Sequence, residues 1–226
     1  MTKFQNLVAR LHKHHGDPSP PPAHGPFELV MWENACYLLP DERRAAVFGA
    51  VKTQVGMTAE AIRKADSRKL LPIAALGGMR PETRVFRWHE IARITLQLFG
   101  GNLDSILQEP YAKAKKALKQ FPNIGEPGAE KILLLCGMAG PGLPLESNGL
   151  RVLVRAGYGR EHLRNYGAMY KSVEEAIASE LPRDVPALAQ AHMLLREHGK
   201  TVCRTGGPLC HECPATDLCA FAQRRS

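Results

Sequence analysis

The segment His198–Cys219, HGKTVCRTGGPLCHECPATDLC, gathers four of the chain's six cysteines, Cys203, Cys210, Cys213 and Cys219, in the spacing C-x6-C-x2-C-x5-C. Four thiolates in one short loop can converge tetrahedrally on an inorganic centre, a geometry that suits a [4Fe–4S] cluster or a structural zinc ion. Structural zinc sites more usually combine two short Cys-x2–4-Cys knuckles. Only Cys210 and Cys213 form such a knuckle here, which favours the cluster. Disulfides are the competing reading, but they belong mainly to small, cysteine-dense secreted domains. The opening MTKFQNLVARLHKHHGD is polar and basic, with no apolar stretch before a small-residue cleavage site. Export is therefore not expected, and a reducing cytoplasm fits the thiols. Cys36 and Cys136 are expected in apolar helices and read as core residues.

Outward from that loop, the sequence reads as helix after helix. Apolar residues recur with helical periodicity and seldom alternate with period two, which predicts an all-α protein. FQNLVARLHKHH (4–15) forms an opening helix, and the proline-rich DPSPPPAHGP (17–26) cannot continue it. FELVMWENACYLL (27–39) reads as a buried apolar helix up to Pro40, with Asp41 placed to cap ERRAAVFGAV (42–51). Pro81 and Glu82 suit the first turn of a long amphipathic helix, which Gly100-Gly101 stops. Ser172 with Glu175 reads as a capping box for VEEAIASEL. Asp184 and Pro186 open a last long helix through ALAQAHMLLREH, which Gly199 is expected to end. The 226 residues are enough for one large domain or two small lobes. No window approaches the roughly 18–20 consecutive apolar residues of a membrane-spanning helix.

The formal charge of +8 and a pI near 9.3 call for an acidic partner, of which nucleic acid is the commonest. Lys113, Lys115, Lys116 and Lys119 concentrate that charge just before LKQFPNIGEPGAEKILLL (118–135). Those lysines read equally well as a phosphate-facing cluster or as a solvated helix face. The stretch that follows places a turn between two helices, anchored by Phe121 and Ile124, with Asn123 and Gly125 able to take positive φ. Backbone N–H groups at such a turn, backed by the N-terminus of the next helix, can hold a phosphate without reading sequence.

Several of these elements together resemble the endonuclease III and adenine glycosylase family of DNA repair enzymes. They are the cysteine loop with His198-Gly199 before it and Asp217-Leu218-Cys219 at its end, the turn FPNIG, and the run SNGLRVLVR. The resemblance extends from about Pro26 to Cys219. It implies two helical lobes: a six-helix-barrel-like central domain, residues 27–142, with a helix-hairpin-helix at about 112–137, and a [4Fe–4S] cluster domain, residues 143–226 with cluster loop 203–219, completed by an N-terminal helix and linker, residues 1–26. It further implies that Cys203, Cys210, Cys213 and Cys219 hold the cluster. Asn123, Ile124, Gly125, Gly128, Lys131 and Arg80 would contact double-stranded DNA, with Met79 and Arg84 near a loop that in relatives wedges into the duplex. A monomer in a bacterial-type cytoplasm, associated with the nucleoid and not with a membrane, is expected.

The resemblance also assigns chemistry, and there the chain departs from its pattern. Counting back from Arg151-Val152, the family's catalytic aspartate position holds Glu146, which keeps the charge but adds a methylene, moving the carboxylate by up to ~1.5 Å. A misplacement of about 1 Å can cost on the order of a hundredfold in rate. Glu33, seven residues after Pro26, falls where adenine glycosylases carry a base-protonating glutamate, and among apolar neighbours it would be desolvated and held protonated. YLLPDERR lacks the glutamine-rich signature of both branches. Pro127 occupies the position of the nucleophilic lysine of bifunctional members and offers no nucleophile. The implied activity is thus excision of a damaged, mismatched or modified base without strand cleavage. The alternative is a catalytically weak or inactive homologue that binds and recognises lesions.

Overall fold

The computed structural model describes residues 1–162 and 164–224. As the periodicity predicts, the described chain is all-helical, with no strand. In order, the α-helices are α1 (Lys3–His15), α2 (Gly25–Glu33), α3 (Asp41–Gln54), α4 (Ala59–Lys64), α5 (Ser67–Ala75), α6 (Pro81–Phe99), α7 (Tyr111–Leu118), α8 (Glu126–Leu135), α9 (Ser147–Ala156), α10 (Tyr166–Ile177), α11 (Val185–Thr201) and α12 (Ala220–Gln223). None of the described helices is long and apolar enough to cross a membrane. The chain divides into two compact units, residues 21–138 in one, and residues 1–20 with the chain from Ala139 onward in the other.

In the 21–138 unit, α2 to α8 enclose a core around α6. Trp88 and Ile91 of α6, Val30 of α2, and Ile132 and Leu133 of α8 are fully buried in it. The Trp88 indole N–H is satisfied by the carbonyl of Asn34 at 3.2 Å. Asn34 also explains why α2 is shorter than its apolar sequence predicts. Its buried side-chain amide donates to the Val30 carbonyl at 3.0 Å and to the Pro122 carbonyl at 2.9 Å. A side chain that bonds backbone in this way competes with the helix, and α2 stops at Glu33. Asp41 is the first residue of α3 and not its cap; Pro40 holds the cap position without a side-chain bond. The Asp41 carboxylate lies in the first turn, where it complements the helix dipole.

In the other unit, Phe4, Leu7 and Leu11 form the buried stripe of α1, which packs on α11, and α9 packs on α11 as well. Asp184 caps α11 by accepting from Ala187 N at 2.9 Å, as expected. Gly199 does not end this helix, which continues to Thr201. Its role is close approach: a Cβ there would lie 2.6 Å from the Asn148 carbonyl oxygen in α9. The capping box expected at Ser172 is also corrected. α10 begins at Tyr166 under an Asn165 cap, and Ser172 lies inside it, donating to Met169 O at 2.9 Å and accepting from Arg160 N at 2.9 Å. Asn165 is the better placed cap because its side-chain oxygen reaches Ala168 N at the helix start.

Candidate metal centre and nucleic-acid elements

α11 delivers the cysteine loop. The loop is closed at its base by Leu209 N donating to Val202 O at 2.9 Å, and 3₁₀ turns at Cys210–Glu212 and Thr216–Leu218 lead to α12. Cys203, Cys210, Cys213 and Cys219 all line one cavity, whose other walls include Val202, Leu209, Phe221 and Arg155. Arg155 secures this corner: its guanidinium lies 3.4 Å from Cys203 Sγ, donates to Arg204 O at 2.8 Å and stacks on the Phe221 ring at 4.8 Å. Arg151 donates to Cys203 O at 2.8 Å and to Gly199 O at 2.6 Å. Burial pushes the Cys203 and Cys213 thiols up, opposed at Cys203 by Arg155. Cys219 Sγ is 3.2 Å from the Arg155 carbonyl, a contact in which the thiol donates; a thiolate must turn away from it. No group of three or more His, Cys, Asp or Glu side chains among the described residues is arranged to hold a single metal ion.

The helix-turn-helix of the other unit runs from α7 through residues 119–125 to α8. Phe121 and Ile124 are buried at 3% and 5% exposure, and Asn123 takes φ 59°, all as expected. Gly125 does not: its φ is −88°, extended backbone at the cap of α8. It carries no side chain that could occupy the first-turn N–H groups of α8, and no side-chain cap bond is made there. A Cβ on Gly128 would come only to 3.8 Å from Ile124, so that glycine is not required by packing. The basic run before the turn is largely consumed by acids. Lys113 pairs with Glu109 at 3.4 Å, Lys115 with Glu126 at 2.6 Å and Glu130 at 3.2 Å, and Lys119 with Glu126. These partners hold the Glu126 carboxyl below its ordinary range. For Lys113, Lys115 and Lys119 the solvated, self-compensated helix face is the better reading.

Lys131 and Glu33 meet, which the sequence did not indicate. Lys131 Nζ lies 2.7 Å from Glu33 Oε2, and Arg44 stands 3.7 Å from Glu33 Oε1 while covering the Trp32 ring at 5.5 Å. Glu33 is therefore not a carboxyl among apolar neighbours but an ion-paired one, and Lys131 points its charge at this acid.

Arg80 caps α6 with φ 58° and is exposed beside Met79, which is 81% exposed. Arg84, expected near the surface with them, is buried instead. Its guanidinium donates to the carbonyls of Ala74 at 2.6 Å and Gly77 at 2.7 Å, with Gly78 and Met79 farther out, so it fixes the turn that carries Met79 and Arg80. That turn packs on residues 35–39: a Cβ on Gly77 would meet Ala35 O at 2.5 Å, and one on Gly78 would meet Leu39 at 3.1 Å. Sequence reading missed what the second segment presents. Tyr37 and Leu38 are 68% and 80% exposed, and Leu38 has φ 54°. The only signal was two large apolar residues just before Pro40.

Glu146 caps α9. Its Oε1 accepts from Gly149 N at 2.9 Å and its Oε2 from the Asn148 side-chain amide at 2.8 Å. Burial, with Glu146 nearby, raises the Tyr166 hydroxyl. Glu146 belongs to the unit containing the cysteine loop; Asn123, Gly125, Glu33, Lys131 and Arg80 belong to the other.

Comparison with known proteins shows what the chain is similar to. The chain is 27% identical to the endonuclease III of Thermotoga maritima over 172 residues, which are 76% of this chain and 72% of that one. It is 22% identical to the endonuclease III of Sulfolobus acidocaldarius over 183 residues, 80% and 75% of the two chains. Among solved structures, a trapped endonuclease III–DNA covalent intermediate aligns with a TM-score of 0.76 at 17% identity, covering 100% of this chain and 99% of that one. A thermostable thymine-DNA glycosylase aligns with a TM-score of 0.75 at 17% identity, covering 98% and 97%. No family model matches. The fold is the one these solved structures share, and the sequence is similar to endonuclease III.

Proposed function

We propose that this chain is a DNA-repair glycosylase that takes a damaged, mismatched or modified base out of double-stranded DNA and hydrolyses its N-glycosyl bond, leaving an abasic site. The observation that carries the reading is the end-to-end likeness of fold to endonuclease III, in a chain that retains an acid at the start of α9. A duplex binds through its phosphates at the uncapped N-terminus of α8, where the Glu126 and Gly128 N–H groups and the helix dipole favour an anion. Asn123, Ile124 and Gly125 shape that turn. The target nucleotide must leave the stack to react, and Arg80 with Met79 stands on a braced, exposed turn suited to the gap it leaves. Glu146 stabilises the oxocarbenium-like sugar as the base departs, or activates the attacking water. Its oxygens already have fixed donors in Gly149 N and Asn148, so the carboxylate is oriented before substrate arrives.

Strand cleavage through a Schiff base needs an amine at the sugar. Pro127 supplies none, and Lys131 is engaged by Glu33, which supports hydrolysis alone. The cysteine loop fits a [4Fe–4S] cluster: four soft sulfur donors around one apolar-walled cavity, with Arg155 and His198 directed at two of them. A structural zinc more usually sits between two short Cys-x2–4-Cys knuckles, of which this loop has one, Cys210–Cys213. When bound, the cluster would supply structural order to this loop, held by Cys203, Cys210, Cys213 and Cys219.

The second reading, a lesion-binding homologue without turnover, is favoured by the two acids themselves: Glu33 is neutralised by cations and Glu146 serves as a helix cap. Single-turnover assays on a panel of damaged and mismatched duplexes, with binding measured in parallel, separate the two. Glu146→Gln keeps the cap oxygen while removing the charge. Base release that Gln does not slow refutes the catalytic role, and binding without any release across the panel supports the second reading.

A further inference from the structure

His15, near the end of α1, brings its Nε2 to 3.0 Å from Nδ1 of His198 on α11. His198 is 2% exposed, and its other ring nitrogen, Nε2, lies 3.5 Å from Cys213 Sγ. Three groups, one each from α1, α11 and the cysteine loop, are thus linked in series. We propose that His15 and His198 form a directional hydrogen-bond relay ending on the Cys213 thiolate, which tunes and retains the metal centre of the cysteine loop. The inference rests on the reading of that loop as a metal site.

The polarity follows from what each atom can do. A metal-bound thiolate carries no proton and can only accept, so His198 must present its proton on Nε2. Its Nδ1 is then an acceptor, and His15 must donate from Nε2. One ligand therefore sets the tautomers of two histidines, in the way that groups behind a metal ligand fix its orientation and basicity. An N–H donated to a cluster sulfur withdraws charge from it and favours the reduced state. On the other side of the cavity the Arg155 guanidinium approaches Cys203 at 3.4 Å, so the two supported sulfurs are reached from α9 and from α11 with α1 behind it. Since His15 lies on α1, the relay also ties the docking of that helix to the occupied site. His15 and His198 are close in ring contact too, with centroids 5.3 Å apart at 71°.

The test uses the purified full-length protein with the metal it acquires on expression, beside His198→Gln, His198→Phe and His15→Phe. Iron, sulfide and zinc are assayed in each, loss of absorbance near 400 nm is followed under a chelator, and the cluster's reduction potential is measured by voltammetry. Gln offers an amide N–H near the position of Nε2, so it should retain the cluster within about twofold of the parent. Phe should lose it on the order of tenfold faster, the low end of effects seen when a group behind a metal ligand is removed, with a more negative potential. His15→Phe should move both readouts in the same direction but less, and it stays informative if the buried His198→Phe does not fold. Gln as damaging as Phe, or potentials unchanged in all three variants, would overturn the relay while leaving the cluster intact. Zinc in place of iron would overturn the cluster reading and leave chelator retention to decide the relay; protein with no bound metal overturns both.

Discussion

Gly199→Ala sets two effects against each other, and the structure decides between them. Alanine is the better helix former by about 1 kcal/mol, and Gly199 lies inside α11 with ordinary helical neighbours, so propensity alone forecasts stabilisation. The added Cβ, however, would lie 2.6 Å from Asn148 Cβ and 2.6 Å from Asn148 O, about 0.8 Å short of ordinary contact. The obstacle is backbone of a packed helix and cannot rotate aside. Parting α9 from α11 by that amount also stretches the Arg151 bonds to Gly199 O and Cys203 O, each now 2.6–2.8 Å. Overpacking costs about 1–3 kcal/mol, and charged hydrogen bonds are worth about 1.5–3 kcal/mol each when broken, partly recovered from water. The net expectation is a loss of roughly 2–3 kcal/mol, a fall in Tm of about 4–10 °C for a chain of this size. Calorimetry or circular dichroism measures it, with metal content checked in the same samples because Arg151 supports the start of the loop. An unchanged or higher Tm would show that α9 and α11 do not approach as closely at this point as described.

Other outcomes follow from the same contacts. Arg84→Met leaves the Ala74 and Gly77 carbonyls without their buried donor and should cost about 3–4 kcal/mol in urea denaturation, with Arg84→Lys, a single point donor, near half of that. Glu146→Ala removes the α9 cap and should cost about 1 kcal/mol, whereas Glu146→Gln should cost far less in stability yet abolish base release. Borohydride reduction on abasic duplex should trap no covalent complex, since Pro127 has no amine. At high pH, burial pushes the Cys136 thiol up to about 12. The folded state thus favours the protonated thiol, so the stability it contributes is complete below about pH 9 and is lost as pH rises toward 12. A denaturation series across that window should lose part of its slope in Cys136→Ala.

How much of this was legible in sequence depended on how local each cause was. The starts of α6 and α11 could be read because Pro81, Asp184 and Pro186 act on the residues beside them. The end of α11 could not, because Gly199 answers to Asn148 on another helix and not to its own neighbours. Asn34 stops α2 partly through Pro122, and Glu33 meets Lys131, each a partner about ninety residues away that no spacing rule reveals. The gathering of the four cysteines on one cavity was legible because they lie in one short loop. Arg84 was not, because an arginine that binds carbonyls has the same sequence signature as one that waits for a phosphate.

The division of the chain also has a consequence for its biosynthesis. Residues 21–138 are contiguous and can complete their core while later residues are still being made. The opening helix cannot. Phe4 N bonds Glu180, Lys3 bonds Ala156 O, and Arg10 reaches Pro214 O and Asp217, so these partners of α1 are translated 153 to 207 residues after it. At typical elongation rates of about 5–20 residues per second, the apolar face of α1 waits on the order of ten seconds or more for its seat. Its last turn is basic, with Lys13 and His14 exposed, which helps keep the waiting helix soluble. Any ribosome stall between α8 and α11 leaves a finished central unit with an unpaired amphipathic arm, the species on which a chaperone or protease would act.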